Sequence, residues 1–82
     1  MDLVRILGWN VRARRRQLGI SQEELAYEAG MKRSYLSDLE RGTRNPSVRA
    51  VERLAIALKV PPGDLLAAPA PEPNAGLSDT PP

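Results

Sequence analysis

The sequence contains no cysteine and no histidine among its 82 residues. Without cysteine the chain can form neither a disulfide framework nor a thiolate metal site, and without histidine it also lacks imidazole ligands. Nucleophilic catalysis that depends on a cysteine or a histidine is excluded for the same reason. Serine, lysine and carboxylate chemistry remains open on composition alone. We therefore expect no metal site and no cofactor.

Long hydrophobic runs are missing as well. No apolar stretch approaches the roughly 18–20 residues that a membrane-spanning helix needs. The N-terminal segment MDLVRILGWNVRARRR does not show the basic-then-apolar order of a secretory signal peptide. These two absences predict a cytoplasmic protein that has no membrane partner.

The charge of the chain is unevenly distributed. All 12 lysines and arginines lie between Arg5 and Lys59, whereas two of the ten acidic residues lie beyond Asp64. Residues 1–66 therefore carry a net charge of +4, which suits a polyanionic partner. An ordinary solvated surface explains the same charge equally well, so charge alone does not identify the partner.

The chain divides into a folded part and a tail. The C-terminal stretch AAPAPEPNAGLSDTPP is rich in proline, alanine and small polar residues and has no apolar period. We therefore assign residues 1–68 to one folded domain and residues 69–82 to a Pro/Ala-rich flexible tail. A folded part of this size needs efficient helix packing or dimerisation to be stable.

The folded part shows the periodicity of short helices and no strand signal. Helices are predicted over about residues 2–18, between Ser21 and Gly30, and over about residues 33–41, 47–59 and 61–67. The core stripe of the fourth helix is predicted to contain Val48, Val51, Leu54, Ala55 and Leu58. Arg15 lies on the otherwise apolar stripe of the first helix. The expected fold class is all-α, a compact bundle of four to five short helices.

Two of these helical patterns are joined by about three residues, in the stretch SQEELAYEAGMKRSYLSDLERG that begins at Ser21. Ser21 and Glu24 have the spacing of a capping box. Ala26 is small enough to let two helix backbones approach, Gly30 permits a positive φ in the turn, and Leu36 fills the space between the helices. This spacing predicts a helix-turn-helix.

The sequence resembles the lambda-repressor/Cro-like, or Xre-type, helix-turn-helix family. The resemblance covers about residues 11–66 and is carried by the segments LGISQEELA, LSDLERG, RNPS and LAIAL. It implies a compact five-helix domain that binds double-stranded DNA, usually as a two-fold dimer on a palindromic operator. It also implies a structural ion pair between Arg15 and Glu40, near the end of the third helix. Because desolvation offsets the attraction, we do not expect such a pair to add much net stability.

The resemblance places the second helix of the motif in the major groove of DNA, with its N-terminal residues toward the bases. The expected base-reading residues are Arg33, Ser34, Ser37 and Asp38. Arg33 suits guanine, whereas Asp38 suits a cytosine amino group or orients Arg33 or Arg41. The expected phosphate-binding residues are Gln22, Lys32, Tyr35, Arg41, Arg44 and Asn45. A basic solvated face explains Arg12 and Arg16 as well as phosphate contact does.

Two features depart from the family pattern. The fifth helix opens with VPPGD, where similar domains often have a serine or threonine cap before one proline. Gly63 in this segment also lowers helix propensity, and both differences weaken a helix that often contributes to dimerisation. Trp9 is expected to cover one end of the bundle, and a contact in the dimer is the alternative.

The sequence thus predicts a sequence-specific transcriptional regulator that binds double-stranded DNA as a homodimer, with control of its own promoter as one mode of action. The alternative is a protein-interaction module, such as an antitoxin or a coregulator, whose fold serves an unknown protein partner. An enzyme is not expected, because catalysis needs convergent titratable groups in a pocket.

Overall fold

A computed structural model describes residues 2–68 of the chain. These residues form five helices: α1 (Leu3–Leu18), α2 (Gln22–Ala29), α3 (Arg33–Glu40), α4 (Val48–Leu58) and α5 (Pro62–Leu66). The described part contains no strand, and the predicted all-α fold class is confirmed. The predicted tail of residues 69–82 lies outside the described residues.

The α2–α3 pair has the sharp connection that the sequence predicts. The Ser21 hydroxyl accepts a hydrogen bond from the Glu24 backbone N–H, and the Glu24 carboxylate accepts one from the Ser21 N–H, which completes the capping box. Gly30 follows α2 with φ 68°, a left-handed conformation that glycine adopts without steric cost. The Met31 N–H then donates to the Ala26 carbonyl over 2.9 Å, which tightens the turn.

The core lies where all five helices meet. Leu36 and Leu39 on α3 are fully buried, so the apolar side of this helix is fixed against the rest of the bundle. The other large side chains that solvent does not reach are Val11, Leu25, Leu54, Leu58 and Leu65. Burial of this many leucines is the main stabilising contribution in a domain this small.

The prediction of burial is wrong for one core residue. Val48 belongs to the apolar stripe of α4 by spacing, but its side chain is 87% exposed. It begins α4 and lines an open groove beside Leu3, Pro46 and Leu66, so no neighbouring element covers it. Ala50, which the spacing did not indicate, is buried on α4 instead.

The fifth helix forms although its first turn lacks a side-chain cap. Leu65 anchors it in the core, where its side chain is 1% exposed. The Asn10 amide on α1 donates to the carbonyl oxygens of Leu65 and Ala67, at 2.9 and 2.8 Å. These two bonds satisfy carbonyl groups that a helix end leaves without partners, so they compensate for the missing cap at the other end.

Candidate nucleic-acid interface

The solvent-facing side of α3 carries the polar residues predicted to read bases. Arg33 and Ser34 are exposed, whereas Ser37 and Asp38 are partly exposed farther along the same helix. Leu36 and the other buried leucine of α3 fix the opposite side of the helix in the core. The helix therefore presents a polar surface whose orientation is set by its buried face.

One flank of α3 is a basic cavity of about 470 Å³. Its lining includes Lys32, Ser34, Tyr35, Arg44 and Arg53. The Arg44 guanidinium carbon lies 4.7 Å from the centre of the Tyr35 ring, which is the geometry of a cation–π contact. The predicted phosphate-binding residues Lys32, Tyr35 and Arg44 are therefore brought together on one side of the helix.

The other flank of α3 is a second cavity, of about 250 Å³. It is lined by Arg12, Arg15, Gln22, Ser37, Glu40 and Arg41. Gln22 and Arg41, both predicted to bind phosphate, thus lie on the side opposite Lys32. The exposed face of α3 runs between two groups of basic residues, an arrangement that matches a major groove between two phosphate backbones.

Asp38 connects the two flanks. Its carboxylate accepts a hydrogen bond from Arg41 and lies 3.6 Å from a guanidinium nitrogen of Arg44. The sequence predicts that Asp38 orients Arg33 or Arg41, and the structure shows its contact to Arg41 together with a second contact to Arg44. The carboxylate therefore holds two arginines near the C-terminal end of α3.

A buried charged pair lies beneath this surface. The Arg15 Nε donates to Glu40 over 2.7 Å and its Nη2 donates to the other carboxylate oxygen over 3.1 Å, while Nη1 donates to the Ile20 carbonyl. The Glu40 side chain is 3% exposed. The Gln22 amide donates to Glu40 over 3.0 Å, which fixes its direction and leaves it a second N–H for a phosphate.

Some residues lie elsewhere than the sequence suggested. Asn45 is exposed but lines the groove beside Leu3 and Val48, away from both basic flanks. Trp9 does not cover the end of the bundle, because it is 61% exposed. Arg53 was missed, since nothing in the spacing of α4 distinguishes it from the other exposed arginines of the chain.

Comparison with known proteins identifies the fold and its family. The family model described as "Helix-turn-helix" matches residues 11–65. The chain belongs to the helix-turn-helix family. This family is one of DNA-binding transcription regulators, and such regulators are not enzymes.

Three similar proteins agree with this assignment. The control protein C.BamHI of Bacillus amyloliquefaciens is 53% identical over 47 residues, which span 57% of this chain and 58% of that protein. The crystal structure of the restriction-modification controller protein C.AhdI from Aeromonas hydrophila has a TM-score of 0.74 at 40% identity, over 76% of this chain and 94% of that one. The hypothetical transcription factor NHTF from Neisseria has a TM-score of 0.80 at 41% identity, over 83% of this chain and 78% of that one.

Two structural features are absent from residues 2–68. No helix in this range is long and apolar enough to cross a membrane. The same range contains no group of acidic side chains arranged to hold a metal ion.

Proposed function

We propose that this protein is a sequence-specific transcriptional regulator that places α3 in the major groove of duplex DNA. The observation that supports this most directly is the polar face of α3 between two basic flanks. A helix fits the major groove, where the base edges differ from one base pair to the next, and the flanks meet the phosphates on either side.

The proposed roles follow from position on α3. Arg33 and Ser34 lie at its start and contact base edges, as does Ser37 one turn later. Asp38 orients Arg41 and Arg44, and a contact to a cytosine amino group is its alternative role. The phosphate contacts are made by Lys32, Tyr35 and Arg44 on one flank and by Gln22 and Arg41 on the other.

Replacing Arg33 with alanine should relax sequence specificity at one base pair, at a loss of about 1–3 kcal/mol of discrimination. Replacing Lys32 with alanine should instead weaken binding to all sequences by a similar factor, because a phosphate contact carries no base information. Binding is measured by fluorescence anisotropy on the duplex immediately upstream of the gene and on single-base variants of it, with a scrambled duplex as the control. If the wild-type protein does not select the upstream duplex, an operator selected from random-sequence DNA replaces it.

Two results would contradict the groove assignment. The first is an Arg33→Ala protein with unchanged affinity and specificity on every duplex. The second is a wild-type protein that binds selected and scrambled duplexes equally, which would favour a protein-interaction module, such as an antitoxin or a coregulator.

The proposed regulator acts as a dimer that joins two copies through an apolar face. This apolar face consists of Leu3, Pro46, Val48, Pro62 and Leu66. Its grooves, of about 190 and 300 Å³, share Val48, Val51 and Leu66, and Glu52 is the only charged residue that lines them. A palindromic operator requires two copies of α3 related by a two-fold axis. A second copy suits this face because it would cover the exposed apolar side chains of Leu3, Val48 and Leu66.

Replacing Val48 with aspartate is expected to dissociate the dimer without unfolding the protomer, because the side chain is 87% exposed. The charge would have to be desolvated at the interface between copies, which is unfavourable without a partner. Ile56→Asp is the matched control, since Ile56 is 72% exposed on the same helix but outside both grooves. Sedimentation velocity measures the oligomeric state of the two variants. If Val48→Asp remained a dimer and Ile56→Asp did not, the interface would lie elsewhere.

A further inference from the structure

We propose that the first half of α1 carries a second DNA contact, in which Arg5, Trp9 and Arg12 hold the phosphate backbone outside the base pairs that α3 reads. The proposal rests on the proposed function and extends it, because it assigns a ligand to α1, which lies outside the helix-turn-helix formed by α2 and α3. We name Arg5, Trp9 and Arg12 the α1 stripe.

The α1 stripe is one continuous face. Its members follow one another at spacings of four and three residues, so their side chains lie on the same side of α1. Leu7 and Val11 lie on the opposite side and are 3% and 0% exposed, which fixes the rotation of the helix. All three stripe residues are exposed. Trp9, the only tryptophan in the sequence, is 61% exposed, whereas tryptophan is highly buried on average.

The stripe adjoins the proposed DNA surface. A cavity of about 310 Å³ is lined by Arg5, Ile6, Trp9, Arg12, Glu40 and Arg41. Arg12, Glu40 and Arg41 also line the cavity that contains Gln22 and Ser37, so the two cavities share a wall. A Cβ atom built on Gly42 would lie 3.0 Å from the Arg5 Cγ, which shows that Arg5 crosses the turn directly after α3.

The electrostatics of this surface favour a polyanion. Glu40 is the only acidic residue that lines either cavity, and its buried carboxylate is already bonded to Arg15 and Gln22. Within residues 2–68, neither Arg5 nor Arg12 forms an ion pair. Phosphates are therefore the complementary ligand, because each neutralised phosphate also releases condensed counterions from DNA.

Trp9 gives the stripe a contact that arginines alone would not provide. An indole has a flat apolar face that packs on a deoxyribose and an N–H that donates to a phosphate oxygen. Arg5 and Arg12 are seven residues apart, which is about 10 Å along the helix axis. This length corresponds to about three base-pair steps of DNA, so the contact should depend on about three base pairs beside the sequence read by α3.

The experiment compares two duplexes that contain the operator selected by the wild-type protein from random-sequence DNA. One duplex ends at the selected base pairs, and the other has three further base pairs of arbitrary sequence at each end. The double variant Arg5→Gln/Arg12→Gln should bind the longer duplex about tenfold more weakly than the wild type at 0.1 M salt. Its salt slope should fall by about four, because the proposed dimer carries four of these arginines. Its affinity for the short duplex should not change.

Two variants serve as further readouts. Trp9→Ala should lose affinity for the longer duplex while keeping the wild-type salt slope, because the indole carries no charge. Arg49→Gln/Lys59→Gln removes the same charge from residues that line neither basic flank, and it should bind both duplexes as the wild type does. Circular dichroism and sedimentation velocity establish that every variant is folded and has the wild-type assembly.

Three results would overturn the α1 contact. The first is unchanged affinity of Arg5→Gln/Arg12→Gln for the longer duplex, and the second is an equal loss on both duplexes, which would place these arginines beside the bases read by α3. The third is dissociation of the dimer by Trp9→Ala, which would assign the stripe to a second copy. A wild-type protein that selects no operator would instead overturn the proposed function, and the α1 contact with it.

Discussion

Replacing Glu40 with alanine is expected to lower the free energy of unfolding by about 3–5 kcal/mol, because it leaves the Arg15 guanidinium buried without its counter-charge. The Arg15 side chain is 13% exposed and the Glu40 side chain is 3% exposed, so water reaches neither freely. The Ile20 carbonyl would remain as a partner of Arg15, but a single neutral acceptor does not replace a carboxylate with two bonds.

The loss of the Glu40 carboxylate should also weaken DNA binding. The Glu40 carboxylate orients the Gln22 amide at the start of α2, and it lies within a wall shared by both cavities beside α1 and α3. We therefore expect Glu40→Ala to bind its operator more weakly even at a temperature where the variant remains folded. Conditions that keep both proteins folded separate this effect from the loss of stability.

Urea unfolding followed by circular dichroism measures the change in stability. Glu28→Ala is the matched control, since Glu28 is an exposed carboxylate on α2 and its removal should change stability by no more than about 0.5 kcal/mol. The double variant Arg15→Met/Glu40→Met should recover most of the loss, because replacing both charges by apolar groups removes the desolvation penalty. A Glu40→Ala variant as stable as the Glu28→Ala control would show that solvent satisfies Arg15 in the native state.

The features of the fold that the sequence reveals are those encoded by neighbouring residues. The capping box of Ser21 and Glu24 and the glycine after α2 act within a few positions of one another, so spacing alone identifies them. The helix-turn-helix follows from the same short range. Arg15 was noticeable because a charged residue interrupts an apolar stripe, which local periodicity detects without knowledge of its partner.

The features that the sequence does not reveal depend on which elements meet in space. Periodicity assigns Val48 to the core of α4, but burial also requires a neighbouring element over the first turn, and none covers it. Its position beside Arg44 in the sequence predicts that Asn45 contacts phosphate, yet the loop directs it toward the apolar face. The contact between the Arg5 stem and the turn after α3 joins residues 37 positions apart, and no local pattern specifies it.

Gly8 is the clearest case of a residue whose role only the fold explains. It lies in the middle of α1, where glycine is less favourable than alanine by about 1 kcal/mol. A Cβ atom at this position would lie only 2.3 Å from the Leu39 carbonyl oxygen and 3.0 Å from that of Glu40. Both oxygens belong to the backbone at the end of α3, so they cannot move aside as a flexible side chain would.

Gly8→Ala is therefore expected to destabilise the protein by about 1–3 kcal/mol despite the better helix propensity of alanine, and Gly8→Val by more than about 3 kcal/mol. Gly63→Ala is the matched control, because Gly63 also lies in a helix but has no atom within 4 Å of its added Cβ, and it should gain up to about 1 kcal/mol. Urea unfolding compares the three variants. If Gly8→Ala gained stability as Gly63→Ala does, α1 and α3 would be farther apart than the structure shows. The expected loss would mean instead that the close approach of α1 sets the position of α3, and with it the arginines on both of its flanks.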